Sequence, residues 1–122
     1  MKIIVRPASL NDLERIAYIE SICFPEKEAA DYKSLRERIM AFKRSFLVAE
    51  RENEIIGFID GSVAKQKKLT DELYSLIELH DDDAPYQMIF GLAVEPSVQH
   101  QGIAALLMKK FIEQAKESHK AI

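Results

Sequence analysis

The stretch from Tyr86 to Ala115 most constrains how this chain can fold. Tyr86 to Val94 is the most apolar run in the sequence and reads as a central strand. After Pro96, the apolar residues Ala104, Leu107, Met108, Phe111 and Ala115 recur at helical spacing, and Ile103, Leu106 and Ile112 widen the stripe. A helix apolar over so much of its circumference is buried on more than one side. A buried strand feeding a buried helix requires a sheet with helices packed on it. At 122 residues the chain has room for one such domain, burying about two-thirds of the surface it exposes when unfolded.

The rest of the chain supplies partners for that unit. Ile3 to Arg6 reads as a strand stopped by Pro7, which has no N–H to give a ladder. Ser9 and Asp12 form a variant capping box, and Leu13, Ile16, Ala17, Ile19 and Cys23 follow at helical spacing until Phe24-Pro25. A second helix is expected from about Asp31, with Tyr32, Leu35, Arg36, Ile39 and Met40 on one stripe. From Ser45 the period shortens. Ser45 to Ala49 and Ile55 to Ile59 read as a hairpin joined by the polar run Glu50 to Glu54. A polar excursion begins at Lys65, contains a short helical stretch over Thr70 to Leu76, and ends in His80-Asp81-Asp82-Asp83-Ala84-Pro85. The order is therefore β-α-α-β-β-(short α)-β-α, an α/β pattern whose last helix lacks a following strand; Ala121-Ile122 is where the next apolar run begins.

Composition removes several function classes. With 48% hydrophobic and 30% charged residues this is a soluble globular composition, and a net charge of -3 provides no field for nucleic acid or an anionic membrane. No run approaches the ~20 apolar residues of a membrane span, and the N-terminus is too short an apolar run for a signal peptide. Cys23 is the lone cysteine, which excludes an intrachain disulfide and fits a reducing, cytoplasmic location; no spaced Cys/His set indicates a metal. The basic cluster Lys65-Gln66-Lys67-Lys68 reads as a solvated loop.

Between strand and helix lies Gln99-His100-Gln101-Gly102-Ile103-Ala104, a turn without lysine or arginine. Its N–H groups fall at a helix N-terminus, where the first donors have no partner in the helix and the peptide dipoles add positive potential. Such a turn binds an anion such as pyrophosphate with backbone alone. Gly102 admits close approach, and Ala104 keeps the first helical turn open. A Walker loop would need Gly-Lys-Ser/Thr, which is absent, and a dinucleotide fingerprint would need an acidic residue about 20 positions on, which the chain does not reach. An ordinary strand-to-helix connection remains the alternative.

The run Val94-x-Pro96-x-x-Gln99-His100-Gln101-Gly102-Ile103-Ala104-x-Leu106-Leu107 closely resembles the acetyl-CoA-binding signature of the GNAT acetyltransferase superfamily. Upstream, Arg6-Pro7-Ala8 with Asp12-Leu13, Cys23-Phe24-Pro25-Glu26 leading to Glu28-Ala29-Ala30, and Thr70 to Tyr74 before Leu79-His80 are similar to bacterial members of the arylalkylamine N-acetyltransferase branch. The resemblance covers essentially the whole chain. It implies a mixed, mostly antiparallel sheet flanked by helices in one domain over residues 1–122, with the C-terminal strands and helix of the family missing.

The resemblance also implies roles. Leu92, Ala93 and Val94 would pair with the pantetheine arm of acetyl-CoA, the co-substrate, and the Leu92 N–H would polarise the acetyl carbonyl. Gln99, His100, Gln101, Gly102, Ile103 and Ala104 would hold the pyrophosphate, with Ala105 beside it. Phe24, Pro25 and Glu26 would shape the pocket for a small amine, together with Glu28 and Asp31. The two strand histidines that serve as a base relay in the animal branch correspond to Met88 and Phe90, which cannot titrate. The base must then come from His80, Glu78, Glu95, the aspartates 81 to 83, or water. The family's acidic tyrosine lies on a helix beyond this sequence, with Tyr86 and Tyr74 as substitutes that nothing favours.

Direct transfer of acetyl to a small amine is the expected activity. The alternative is a non-catalytic acyl-CoA-binding or assembly protein. An exposed edge on the fourth strand also admits completion by a partner chain, a homodimer included.

Overall fold

The computed structural model describes residues 2–64, 80 and 85–118. Four strands, β1 (Ile3–Pro7), β2 (Phe46–Arg51), β3 (Glu54–Asp60) and β6 (Gly91–Val94), form an antiparallel sheet in the order β1-β2-β3-β6. A separate two-stranded ladder pairs β4 (Val63–Ala64) with β5 (Tyr86–Gln87). Helices α1 (Leu13–Cys23) and α2 (Tyr32–Phe42) cover one face of the sheet, and α3 (Ile103–Glu117) covers the other. This is the expected antiparallel sheet flanked by helices. The short helix expected over Thr70 to Leu76, the run Lys65 to Lys68, and Glu78, Tyr74 and aspartates 81 to 83 lie outside the described residues.

Strand alternation explains the layers. Phe46 and Val48 of β2 pack with Leu13, Ile16, Ile19, Leu35, Ile39 and Phe42 from α1 and α2. Leu47 and Ala49 point to the other face, where Ile103, Leu107 and Phe111 of α3 close over them. In β3 the register slips between Ala49 and Glu50, where an extra residue sits opposite β2. The extra residue is Ile56, and it changes the phase of β3: Ile55 and Phe58, three apart, share the α1–α2 core, and Ile56 and Ile59 share the α3 core. The Ile55 carbonyl accepts a hydrogen bond from Arg15 Nε at 2.9 Å, which ties α1 to the bulge.

Local chemistry sets the element ends. The Ser9 N–H donates to Asp12 Oδ2 at 2.8 Å, as the capping box requires. Asp12 also takes two hydrogen bonds from Arg6, at 2.8 and 2.9 Å, and Arg6 reaches Glu50 Oε1 at 2.8 Å, so one guanidinium joins β1, β2 and the start of α1. Asp31 Oδ1 accepts from the Ser34 N–H at 2.8 Å, capping α2.

Three expectations change. The polar run Glu50 to Glu54 is mostly strand: the turn is only Glu52-Asn53, with φ of 52° and 66°, the left-handed pair that matches strand twist in a two-residue hairpin. The buried stripe of α2 is Leu35, Ile39 and Phe42, while Tyr32 and Met40 are 52% and 56% exposed and Arg36 faces solvent. Phe42, one turn beyond Ile39 and Arg38, rotates the stripe toward β2. Finally, Tyr86 to Val94 is not one central strand. It divides into β5 and β6 around Met88 to Phe90, and β6 stands at the end of the sheet order. Its apolarity reflects helices on both faces, which bury a strand as thoroughly as neighbours do. The division occurs where Gly61 passes Met88: a Cβ on Gly61 would stand 1.8 Å from the Met88 carbonyl oxygen, so only glycine allows the crossing.

Candidate active site

At the end of β6 the backbone turns sharply into α3. Glu95 N–H donates to the Ile56 carbonyl at 2.8 Å. The alternation of an antiparallel ladder then turns the N–H and C=O groups of Leu92 and Val94 toward the outer edge. Among the described residues no strand pairs with that edge. The Val94 carbonyl shows the direction: it accepts from Gln99 Nε2 at 3.1 Å and from Cys23 Sγ at 3.3 Å. Gln99 thereby folds the turn back on its own strand, and Cys23 is a link between α1 and β6, its thiol pKa pushed up by burial.

The turn has two left-handed residues, His100 with φ of 67° and Gly102 with φ of 79°. Gly102 is the N-cap of α3, and no side chain satisfies the cap. The helix therefore presents free N–H groups, and nothing lies within 4 Å of where a Gly102 Cβ would be. Ile103 is buried among the α3 core residues, whereas Ala104 and Ala105 are exposed. A cavity of about 490 Å³ opens here, lined by Leu92, Val94, Val98, Gln99, His100, Gly102, Ile103, Ala104 and Ala105. Of the residues expected at a cofactor site, Ala93 faces the α1–α2 core instead, and Gln101 accepts from Arg51 Nη1 at 3.2 Å.

A second cavity, of about 350 Å³, lies on the opposite side of the β6 edge between α1 and α2. Phe24 and Phe90 give it apolar wall, Gly91 and Ala30 open its surface, and Glu20, Glu28 and Arg38 bring charge. Gly91 borders this cavity and Leu92 the first, so consecutive residues of one strand edge separate the two. Pro25 and Glu26, expected at an acceptor pocket with Phe24, are exposed and do not line it.

The candidate bases fall in different places. His80 Nδ1 accepts from the Val63 N–H at 2.9 Å and lies 3.2 Å from Ser62 Oγ, with its ring 4.9 Å from that of Phe42. It borders neither cavity. Glu95 caps the short turn Pro96–Val98, accepting from the Ser97 N–H and hydroxyl, and these bonds hold its carboxyl below the usual range. Met88 is buried, and Phe90 lies under the Arg38 guanidinium, 5.3 Å from its ring centre.

Three charged residues that sequence reasoning passed over meet beside the second cavity. Glu20 is buried, its Oε2 accepting from the Ala30 N–H at 2.8 Å, and burial raises its pKa against the pull of that bond and of Arg38. Asp60 has no exposed surface; its Oδ1 is 3.5 Å from Arg38 Nη1, and its Oδ2 has no partner. Burial pushes the Asp60 carboxyl up to about 7. The available signal was position: Glu20 is four residues after Ile16 and seven after Leu13, squarely on the buried stripe of α1.

Comparison with known proteins supplies the family. The chain belongs to the GNAT acetyltransferase family, whose sequence profile matches residues 10–122. Comparison with curated protein sequences gives no significant match. Among solved structures, the chain is similar to the loading GNATL domain of CurA from Lyngbya majuscula, with TM-score 0.87 and 18% identity over 98% of this chain and 62% of that one. It is similar also to the GphF GNAT-like decarboxylase solved with isobutyryl-CoA, with TM-score 0.79 and 23% identity over 93% of this chain and 59% of that one. A third is Arabidopsis thaliana Naa50 with a bisubstrate analogue, CoA-Ac-MVNAL, with TM-score 0.69 and 14% identity over 96% and 66% of the two chains. At these identities the likeness is one of fold. The chain spans about three fifths of the length of the first two. Among the described residues no helix is long and apolar enough to cross a membrane.

Proposed function

We propose that the protein binds acetyl-CoA along the β6–α3 edge and takes part in acetyl transfer to a small amine held in the second cavity. The observation that carries this is the uncapped N-terminus of α3, opening into a cavity beside the outward-turned backbone of Leu92 and Val94. Those residues fit the co-substrate. The N–H groups following Gly102 are donors for the pyrophosphate, and exposed, small Ala104 and Ala105 leave room for it. Leu92 would offer its outward N–H and C=O to a pantetheine amide, and Val94 its N–H, the Val94 carbonyl being held by Gln99 and Cys23. When bound, the thioester supplies the activated acetyl group. The Leu92 N–H would polarise its carbonyl, and the cavity walls would hold the amine within reach. Family membership and the CoA and acyl-CoA complexes of fold neighbours support this reading. The arylalkylamine branch, with Phe24 as an apolar wall, is its finer form.

Thermal melting with and without acetyl-CoA tests the binding. At about 100 times the dissociation constant the ligand adds roughly 2.7 kcal/mol of stability, a shift of several degrees, and a folded protein that shows no shift removes the proposal. Thiol release with a panel of aryl and alkyl amines tests transfer. Silence alongside a clear melting shift favours a non-catalytic acyl-CoA binder.

A further inference from the structure

Among the described residues, Met88 and Phe90 cannot titrate, Glu95 caps a turn and His80 borders neither cavity, whereas the Glu20 carboxyl borders the second. We infer that Glu20 receives the acceptor's ammonium group, binding it through Oε1 and taking its proton, and that the cavity selects a cationic primary amine with a small apolar or aromatic body. For the transfer step this rests on the acetyl-CoA reading above; for the binding step it stands on the cavity alone.

The geometry is specific. Glu20 is fixed at one oxygen, with Oε2 held by the Ala30 N–H at 2.8 Å. Glu20 borders the cavity, and among the described residues Oε1 has no hydrogen-bond partner, which leaves that oxygen for a ligand. A carboxylate held at one oxygen and open at the other suits a positioned proton acceptor. The same cavity ends at Gly91, next to Leu92, so an amine on Glu20 stands on the acceptor side of the strand edge along which the thioester would lie.

The charge balance selects the ligand. Among the described residues, Glu20 and Glu28 face one cation, Arg38, and Arg38 is already shared with Asp60, which has no exposed surface. Among the described residues, Cys23 on the same helix also neighbours Glu20 and carries no charge, its pKa raised by burial. An amine brings the missing positive charge, whereas a carboxylate-bearing ligand meets excess like charge. Phe24 and Phe90 provide apolar wall for its body. Since a water occupies about 30 Å³ of liquid, a cavity of about 350 Å³ holds on the order of ten non-hydrogen atoms. In the transfer step one proton passes from the ammonium to Oε1, and the freed nitrogen pair bonds to the thioester carbonyl carbon. The C–S bond then breaks with its electron pair going to sulfur, and the second nitrogen proton leaves to the thiolate.

Binding of 2-phenylethylamine, with 2-phenylethanol as the neutral isostere, is the experiment, read by calorimetry without acetyl-CoA. The amine is expected to bind at least tenfold more tightly than the alcohol, and Glu20→Gln to remove that preference, whereas Glu113→Gln, on α3 across the sheet, changes it less than threefold. Equal binding of amine and alcohol, or unchanged amine affinity in Glu20→Gln, overturns the inference. If Glu20→Gln fails to fold, the wild-type pH profile decides: affinity is expected to fall as acid protonates Glu20, and a flat profile down to about pH 4, near the ordinary carboxyl pKa, overturns it. With acetyl-CoA added, Glu20→Gln is expected to cut thiol release 10²- to 10⁴-fold and to abolish the acid limb of the rate profile. An unchanged acid limb rejects Glu20 as the proton acceptor. Wild-type silence with amine binding intact overturns the acetyl-transfer reading and the proton-accepting role, and leaves Glu20 as an amine-binding residue.

Discussion

Single residues hold opposing electrostatic tendencies in this fold. Asp60 is fully buried and its carboxyl is pushed up to about 7, because an Arg38 contact of 3.5 Å is too long to offset desolvation. Unfolded, Asp60 titrates near its ordinary value of 3.8, so between that pH and about 7 the folded chain keeps a proton that the unfolded chain releases. Stability from this group is therefore greatest at the acid end and declines as pH rises through the window. Asp12 acts in the other sense: Arg6 lowers its pKa, and its contribution is present above the ordinary carboxyl value and lost as pH falls below it. Asp60→Asn should flatten the decline in melting temperature between about pH 5 and 7.5; an undiminished slope assigns it to other groups. Gly61→Ala should cost at least about 3 kcal/mol in chemical denaturation, the severe end of overpacking, because the added methyl meets backbone rather than a movable side chain. Neither Asp60 nor Arg38 stood out in the sequence. Period analysis counts apolar positions, and a charge inside an apolar stripe registers only as an interruption.

At the level of elements, legibility followed local causes. The capping box at Ser9 and Asp12, the α1 stripe and the Gly102 start of α3 depend on neighbours in sequence, and the structure has them where the residues place them. The division of Tyr86 to Val94 depends on Gly61, some 25 residues away, and the α2 stripe depends on where β2 lies. The turn residues Gln99 to Ala104 were legible because a helix start and a glycine are local features. The second cavity was legible only at Phe24 and Glu28, since Glu20, Arg38 and Gly91 come together through packing. Ala104 allows binding at the α3 terminus to be separated from folding. Exposed in the first turn, Ala104→Glu should leave the fold intact and stabilise the helix by about 0.3–1 kcal/mol through the dipole, while lowering acetyl-CoA affinity tenfold or more by placing a carboxylate in the anion site. Retained affinity, measured by calorimetry, would show that the anion lies elsewhere.

Among the described residues, two helices cover one face of a four-stranded sheet and one covers the other, and the acetyl-CoA and amine cavities proposed above meet at the edge of β6. Phe46, Phe58 and Phe111 are fully buried in the layers on either side of the sheet; in the proposed activity the uncapped helix and the buried carboxylate of Glu20 would supply the chemistry. The most direct test of acetyl-CoA binding at that edge is a titration followed by backbone amide resonances. The N–H signals of Leu92, Val94 and Gln99 to Ala105 are expected to shift in proportion to saturation while those of β1 stay still. Shifts centred on Arg6, Lys110 and Gln114 across the molecule, or none at saturating ligand, would contradict it.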